Sequence, residues 1–173
     1  MFLAGIDGLI GFGEPILLTN FVADLLPDAV AWAAAISLTA QKNGVALNPR
    51  WVQLAEAVGV QQPEKIRIYA VQEIPRPGNV ELAKKAAQVG LLGPTIRGLT
   101  LGYSVIVLGV HQNNPRVLAH EFRHVYQYEM AGSLEGFLRE YLQQVITYGY
   151  WNSVLECDAR DHEDASLQII NCD

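Results

Sequence analysis

The sequence predicts an α+β fold, mainly helical with a small sheet, and three observations carry that expectation. Two runs rich in β-formers, Ile66–Val71 and Leu99–Gly109, lie in the middle of the chain. Helical punctuation, an Asn, Asp or Ser ahead of a helix-favouring run, stands on both sides of them. The order is thus helices, strands, helices, unlike the regular strand–helix alternation of a wound parallel sheet.

Residues 1–26 are apolar and broken by Gly5, Gly8, Gly11, Gly13 and Pro15, so they read as irregular with a short helix near Asn20–Leu26. Gly11-Phe12-Gly13 is not a phosphate loop, because no strand leads into it and Pro15 follows at once. Asp28 is positioned to cap a helix running to about Lys42, closed by Asn43-Gly44. Asn48-Pro49 combines an N-cap with proline at the first helical position, and Gly59 closes that helix. Ile66–Val71 is the first strand, Pro75-Arg76-Pro77-Gly78 breaks the chain, and Asn79 caps a helix to about Gln88. Leu99–Gly109 is the second strand region, strongest over Val105–Leu108. Asn114-Pro115 repeats the cap signature, so a helix runs from Pro115 to about Met130 with Gly132 beyond its end. Ser133 opens another helix ending near Tyr148-Gly149, and a last one runs from Asn152-Ser153 to about Asp164.

A chain of 173 residues, half of them hydrophobic and 17% charged, fits one domain: a helical part over 1–62 and a core over 63–165. The net charge of −6, with 12 scattered Lys and Arg, excludes a broad nucleic-acid surface. Cys157 and Cys172 are too few for a disulfide framework; they read as two reduced thiols or as one bridge holding the C-terminal tail. Met1–Asp7 has no basic segment and does not read as a signal peptide. The most apolar stretch, Ala29–Ala40, falls short of the ~20 residues of a membrane span. The expected address is the cytoplasm.

The residues that carry chemistry are His120-Glu121-Phe122-Arg123-His124, an H-E-x-x-H pattern inside the helix from Pro115. Two imidazoles four positions apart project from one helical face and can share a metal ion, and a carboxylate between them can take a proton from an activated water. On a helical wheel Val117, His120, Glu121, His124 and Tyr128 share an arc, Leu118, Phe122 and Val125 the next, and Arg116, Arg123 and Gln127 point away. The bland alternative is two surface or core-edge His on an amphipathic helix. Catalytic zinc takes three protein ligands, so a third must come from elsewhere. Asn152–Asp161 offers Glu156.

With His120, Glu121 and His124 followed by Glu156 and, three positions on, Ala159, the sequence resembles the gluzincin-type zinc metallopeptidases over roughly Leu99–Asp164. It also looks like small bacterial zincin-like proteins from Tyr148-Gly149-Tyr150 through Arg160. The resemblance implies a zincin-like fold, with the sheet edge beside the motif helix receiving substrate. It implies one zinc ion per chain held by His120, His124 and Glu156, Glu121 as general base, and a peptide or protein as substrate. A third His six residues after His124, as another zincin class has it, is absent: that position is Met130. The Asp that many gluzincins place four residues after the ligand Glu is here Arg160; Asp158 or Asp161 could orient a ligand His instead.

Glu156 has a second reading, because Ser153-Val154-Leu155-Glu156 is also a capping box. Asp158, Asp161 and His162 are the fallback ligands, although the cluster Asp158, Asp161, His162, Glu163 and Asp164 reads first as a solvated helix face. Tyr148 and Tyr150 read as rim aromatics or as oxyanion donors. Tyr126 and Tyr128 read as packing residues, and His111 as a loop residue. The expected function is a zinc-dependent peptidase. The rivals are a zincin-shaped metal-binding module without peptidase activity and a helical interaction protein in which the motif is coincidental.

Overall fold

The computed structural model describes residues 15–165, with side chains from residue 20 onward. The expectations for residues 1–14 and the Cys157–Cys172 pairing lie outside the described residues. The architecture is α+β with a mixed four-stranded sheet in the order β1 (Val45–Ala46), β2 (Arg67–Val71), β4 (Ser104–Leu108), β3 (Gly98–Leu101). β2 and β4 are parallel, and β1 and β3 are antiparallel to their neighbours. β1 falls within the N-terminal part expected to be helical, in the connection between its helices.

The Leu99–Gly109 region is a hairpin rather than one strand. Leu101 and Ser104 pair across a two-residue turn, and Gly102 takes φ of 67°, a conformation that favours glycine. Side chains of β4 alternate between two faces. Val105 and Val107 pack with Leu54 of α2 (Pro49–Ala57) and with Leu118, Phe122 and Val125 of α4 (Pro115–Ala131). Ile106 packs with Ala33 and Ala40 of α1 (Pro15–Asn43). The sheet is the middle of three layers.

α1 corrects the sequence reading, which stopped a helix at Pro27 and restarted it at Asp28. The helix is continuous because its buried stripe is continuous: Val22, Leu25, Leu26, Ala29, Ala33 and Ala40 follow one another at helical spacing across the proline. Pro27 is exposed, so the carbonyl it leaves without a helical donor faces solvent. Asp28 caps nothing in α1. Its carboxylate accepts from the Asn79 amide at 3.2 Å and so ties α1 to the start of α3 (Val80–Gln88). The apolar run is also longer than expected: Asn20–Asn43 has the length of a membrane span, and its most apolar 18-residue window has a mean hydropathy of 1.5. The same stretch supplies Leu25, Leu26, Ala33 and Ala40 to the interior.

The expected caps form. Asn48 accepts from the Trp51 amide at 2.9 Å, Asn79 from those of Glu81 and Leu82, and Ser133 from that of Gly136 at 3.0 Å at the start of α5 (Leu134–Tyr148). α6 (Val154–Asp161) is shorter than expected and is followed by a 3-10 turn over Glu163–Ala165.

Candidate metal centre

α4 presents the motif. Asn114 accepts from the Arg116 and Val117 amides, Pro115 opens the helix, and Gly132 closes it at φ of 74°. Val117, Leu118, Ala119, Phe122 and Val125 are buried, which fixes the helix rotation and turns His120, Glu121 and His124 toward α6 and β3. The two imidazole Nε2 atoms lie 3.2 Å apart.

Glu156 reaches both from α6. Its Oε2 is 3.4 Å from His120 Nε2, and its Oε1 is 3.4 Å from His124 Nε2. Ser153 accepts from the Glu156 amide and caps α6, while the Glu156 carboxylate faces the imidazoles instead of completing a capping box. Oε1 accepts from the Tyr141 hydroxyl at 2.7 Å; Oε2 is buried and has no hydrogen-bond partner. Among the described residues, His120, His124 and Glu156 form the one group of three such side chains that could hold a metal ion, with donor atoms within 4.8 Å of one another. The fallback ligands lie elsewhere. Asp161 is exposed, and His162 Nδ1 lies 2.8 Å from the Asp158 carbonyl oxygen.

The far side of each imidazole has an acceptor. Gln127 Oε1 lies 2.7 Å from His124 Nδ1. The orientation of that amide follows from its other end, where Nε2 donates to the Leu155 carbonyl at 2.9 Å and to Asp158 Oδ2 at 2.7 Å. His124 Nδ1 therefore carries its proton, and in the neutral ring Nε2 keeps its lone pair. Glu163 Oε1, 3.1 Å from His120 Nδ1, imposes the same tautomer on His120, and Arg116 donates to the other oxygen of Glu163. With both rings neutral, two bare nitrogens and a carboxylate oxygen without a donor thus lie together. Cations fit that donor set.

The electrostatics agree with the geometry. Burial works to lower the His124 pKa, but Glu156, the charge of Glu121 and the Gln127 contact outweigh it and push it up to about 9. Burial works to raise the Glu156 carboxyl; His120, His124 and Tyr141 hold it far below the usual carboxylate range. The metal-free site thus already attracts positive charge.

These contacts correct several expectations. Gln127 and Arg123, assigned to the solvent side, face α6: Gln127 is buried, and Arg123 donates from Nε and Nη2 to both oxygens of Asp158, at 2.7 and 3.0 Å. Arg123 Nη1 also donates to the Val58 carbonyl, and its guanidinium stacks on Tyr126. Burial works to raise the Asp158 carboxyl, and Arg123 and Gln127 hold it below its ordinary value. Asp158 touches neither ligand His directly; it acts one step out, through Gln127. Glu163, grouped with a solvated face, backs His120. Arg160 stacks on Trp151, at 4.4 Å from its ring centroid, and stands 3.9 Å from Glu156.

Glu121 is buried, and its Oε2 lies 2.7 Å from the Thr100 hydroxyl on β3. Gly98 leaves it room, since a Cβ there would stand 2.4 Å from Glu121 Oε1. Tyr141, not foreseen from the sequence, packs against the His124 ring with centroids 6.1 Å apart. Tyr148 and Tyr150 are both exposed, but Tyr150 also lines the cavity in front of the site, its phenol raised by partial burial and by the charges of Glu156 and Glu121. That cavity, of about 120 Å³, is walled by α1, α3, β3 and α5. No family model, no curated protein and no solved structure matches this chain, so the reading of the site stands on its residues and their geometry.

Proposed function

We propose that the protein is a zinc-dependent hydrolase with a zincin-like core, a peptidase in which His120, His124 and Glu156 hold one zinc ion and Glu121 is the general base. The observation that carries this reading is the convergence of the two imidazole Nε2 atoms and the buried Glu156 carboxylate, whose Oε2 lacks a hydrogen-bond donor, within 4.8 Å of one another. Bound there, zinc would polarise a carbonyl and acidify a water.

The chain's own groups supply the rest. Glu121 shares the cavity with the ligands without being one of them, and Thr100 holds its Oε2, which leaves Oε1 to take a proton and later return it to a leaving amine. Tyr150 keeps its proton at neutral pH and can donate a hydrogen bond to a developing oxyanion. β3 ends the sheet and pairs only with β4 among the described residues, so its outer edge can take an extended peptide by backbone pairing.

Elemental analysis of the gently purified chain should find one zinc per chain, lost in the His120→Ala, His124→Ala double variant. Glu121→Gln should keep the zinc and lower hydrolysis of a quenched-fluorescence peptide library by at least ~10²-fold. Zinc content unchanged in the double variant removes the site. Zinc binding without cleavage of any peptide makes the metal-binding module the better description.

A further inference from the structure

We propose that the substrate is an amide carrying one large, uncharged, apolar group beside the scissile bond, and that Ala29 and Ala86 set the size limit of that group. The reaction rests on the hydrolase reading above; the substrate class rests on the cavity.

The cavity runs from His120 and Glu121 to residues far from them in sequence, on α1 and α3. Its polar lining, the Trp32 indole apart, is confined to the metal end: Thr100, Tyr141, Tyr150, Glu121 and the three ligand side chains. Beyond that end the walls are Leu25, Leu82, Leu91, Leu99, Leu138 and their apolar neighbours. A charged group placed there would lose its hydration with nothing to replace it, which is strongly unfavourable. An apolar group would gain in proportion to the area it removes from water. At roughly 10–15 Å³ for each water-sized group, a volume of about 120 Å³ takes on the order of ten non-hydrogen atoms. A Phe or Trp side chain has that size, and so does an acyl chain of about eight carbons.

Ala29 on α1 and Ala86 on α3 line this space with single methyl groups, where neighbouring wall positions carry Leu. Both are nearly buried, at 9% and 8% exposure. Neither belongs to the ligand set, so a larger side chain at either position fills the cavity and leaves the metal end alone.

The test uses the zinc-loaded chain and a series of n-alkyl hydroxamates, whose chelating head is constant while the tail lengthens. Affinity should rise about fourfold per methylene, the equivalent of ~0.8 kcal/mol, and level off near about eight carbons. Ala29→Phe and Ala86→Phe, or the milder Ala29→Leu and Ala86→Leu if the former do not fold, should move the plateau to shorter tails and leave acetohydroxamate binding unchanged. Affinity independent of tail length overturns the proposal, as does a plateau that no variant moves. A second readout needs no metal. N-phenyl-1-naphthylamine should fluoresce with the metal-stripped chain and lose that signal in the variants; no signal with the unsubstituted chain overturns the assignment of the cavity. A chain that binds the dye and no zinc refutes the hydrolase reading while supporting the cavity. One that binds zinc and acetohydroxamate but no longer hydroxamate refutes the substrate class alone. Hydrolysis of Phe- or Trp-containing peptides, set against N-octanoyl amino acids, separates a side-chain source of the group from an acyl source.

Discussion

Replacing Gln127 with Leu keeps the volume and removes three polar contacts: one to His124 Nδ1 at 2.7 Å, one to the Leu155 carbonyl at 2.9 Å and one to Asp158 at 2.7 Å. The losses are unequal. Asp158 retains both hydrogen bonds from Arg123, so its charge stays paired. The buried His124 Nδ1 retains nothing, which costs about 1–3 kcal/mol wherever that nitrogen keeps its proton. The ring is then free to exchange tautomers, and the lone pair at Nε2 is no longer guaranteed. Loss of such an outer partner typically lowers metal affinity by 10–100-fold, or about 1.4–2.7 kcal/mol. Competition against a chromophoric zinc chelator measures this directly, with circular dichroism to confirm the fold. Gln127→Leu binding zinc within about twofold of the unsubstituted chain would refute the claim that Gln127 sets the His124 tautomer.

Two further outcomes follow from contacts already described. Gly98→Ala puts a methyl 2.4 Å from Glu121 Oε1 and 2.6 Å from Cδ. The carboxylate must retreat by about 1 Å, a misplacement worth on the order of 10²-fold in rate, while zinc content and melting temperature change little; unaltered peptide hydrolysis in this variant would remove Glu121 from its role. Burial first, then the charge and hydrogen bond of Glu129, push the Tyr103 phenol up to about 12. The raised value means that folding favours the protonated phenol, so this stability is complete below pH ~10 and lost as pH rises toward 12. Tyr103→Phe should flatten the fall in melting temperature between pH 10 and 12, and an equally steep fall would show that Tyr103 does not contribute to it.

Much of the site was legible because its signals are local. Asn114-Pro115 and Gly132 delimit α4, the four-residue spacing of His120 and His124 places both on one face, and Glu156 lies in a helix further along the chain. Gln127 was also legible: it lies seven residues after His120, two turns on and only about 20° around the helix. On the helical wheel, however, it shares the outward arc with Arg116 and Arg123. Glu163 and Tyr141 have no such local mark. Glu163 meets His120 only because α6 stops at Asp161 and a turn brings the chain back over α4. Tyr141 arrives through the packing of α5. The cavity was invisible for another reason, since a Leu that lines a void has the same sequence signature as a Leu that fills a core. In the fold, Pro27 and Asp28 read locally as a break, since proline removes a hydrogen bond and costs a helix interior about 3 kcal/mol at most sites, whereas the buried stripe runs past them on both sides.

The clamp between Arg123 and Asp158 has a thermodynamic consequence. It joins α2, α4 and α6 through ion pairs and hydrogen bonds that contain no metal, and it sits two residues from Glu156. The ligands are therefore brought into register by the polypeptide itself. In small zinc domains that fold only around their ion, binding energy is consumed in ordering the chain. On the zinc reading proposed above, almost none of it would be diverted that way, and a chelator would remove the ion and leave the scaffold standing. Exchange of one divalent ion for another would then be a reversible event at a fixed template, set by metal supply as much as by folding.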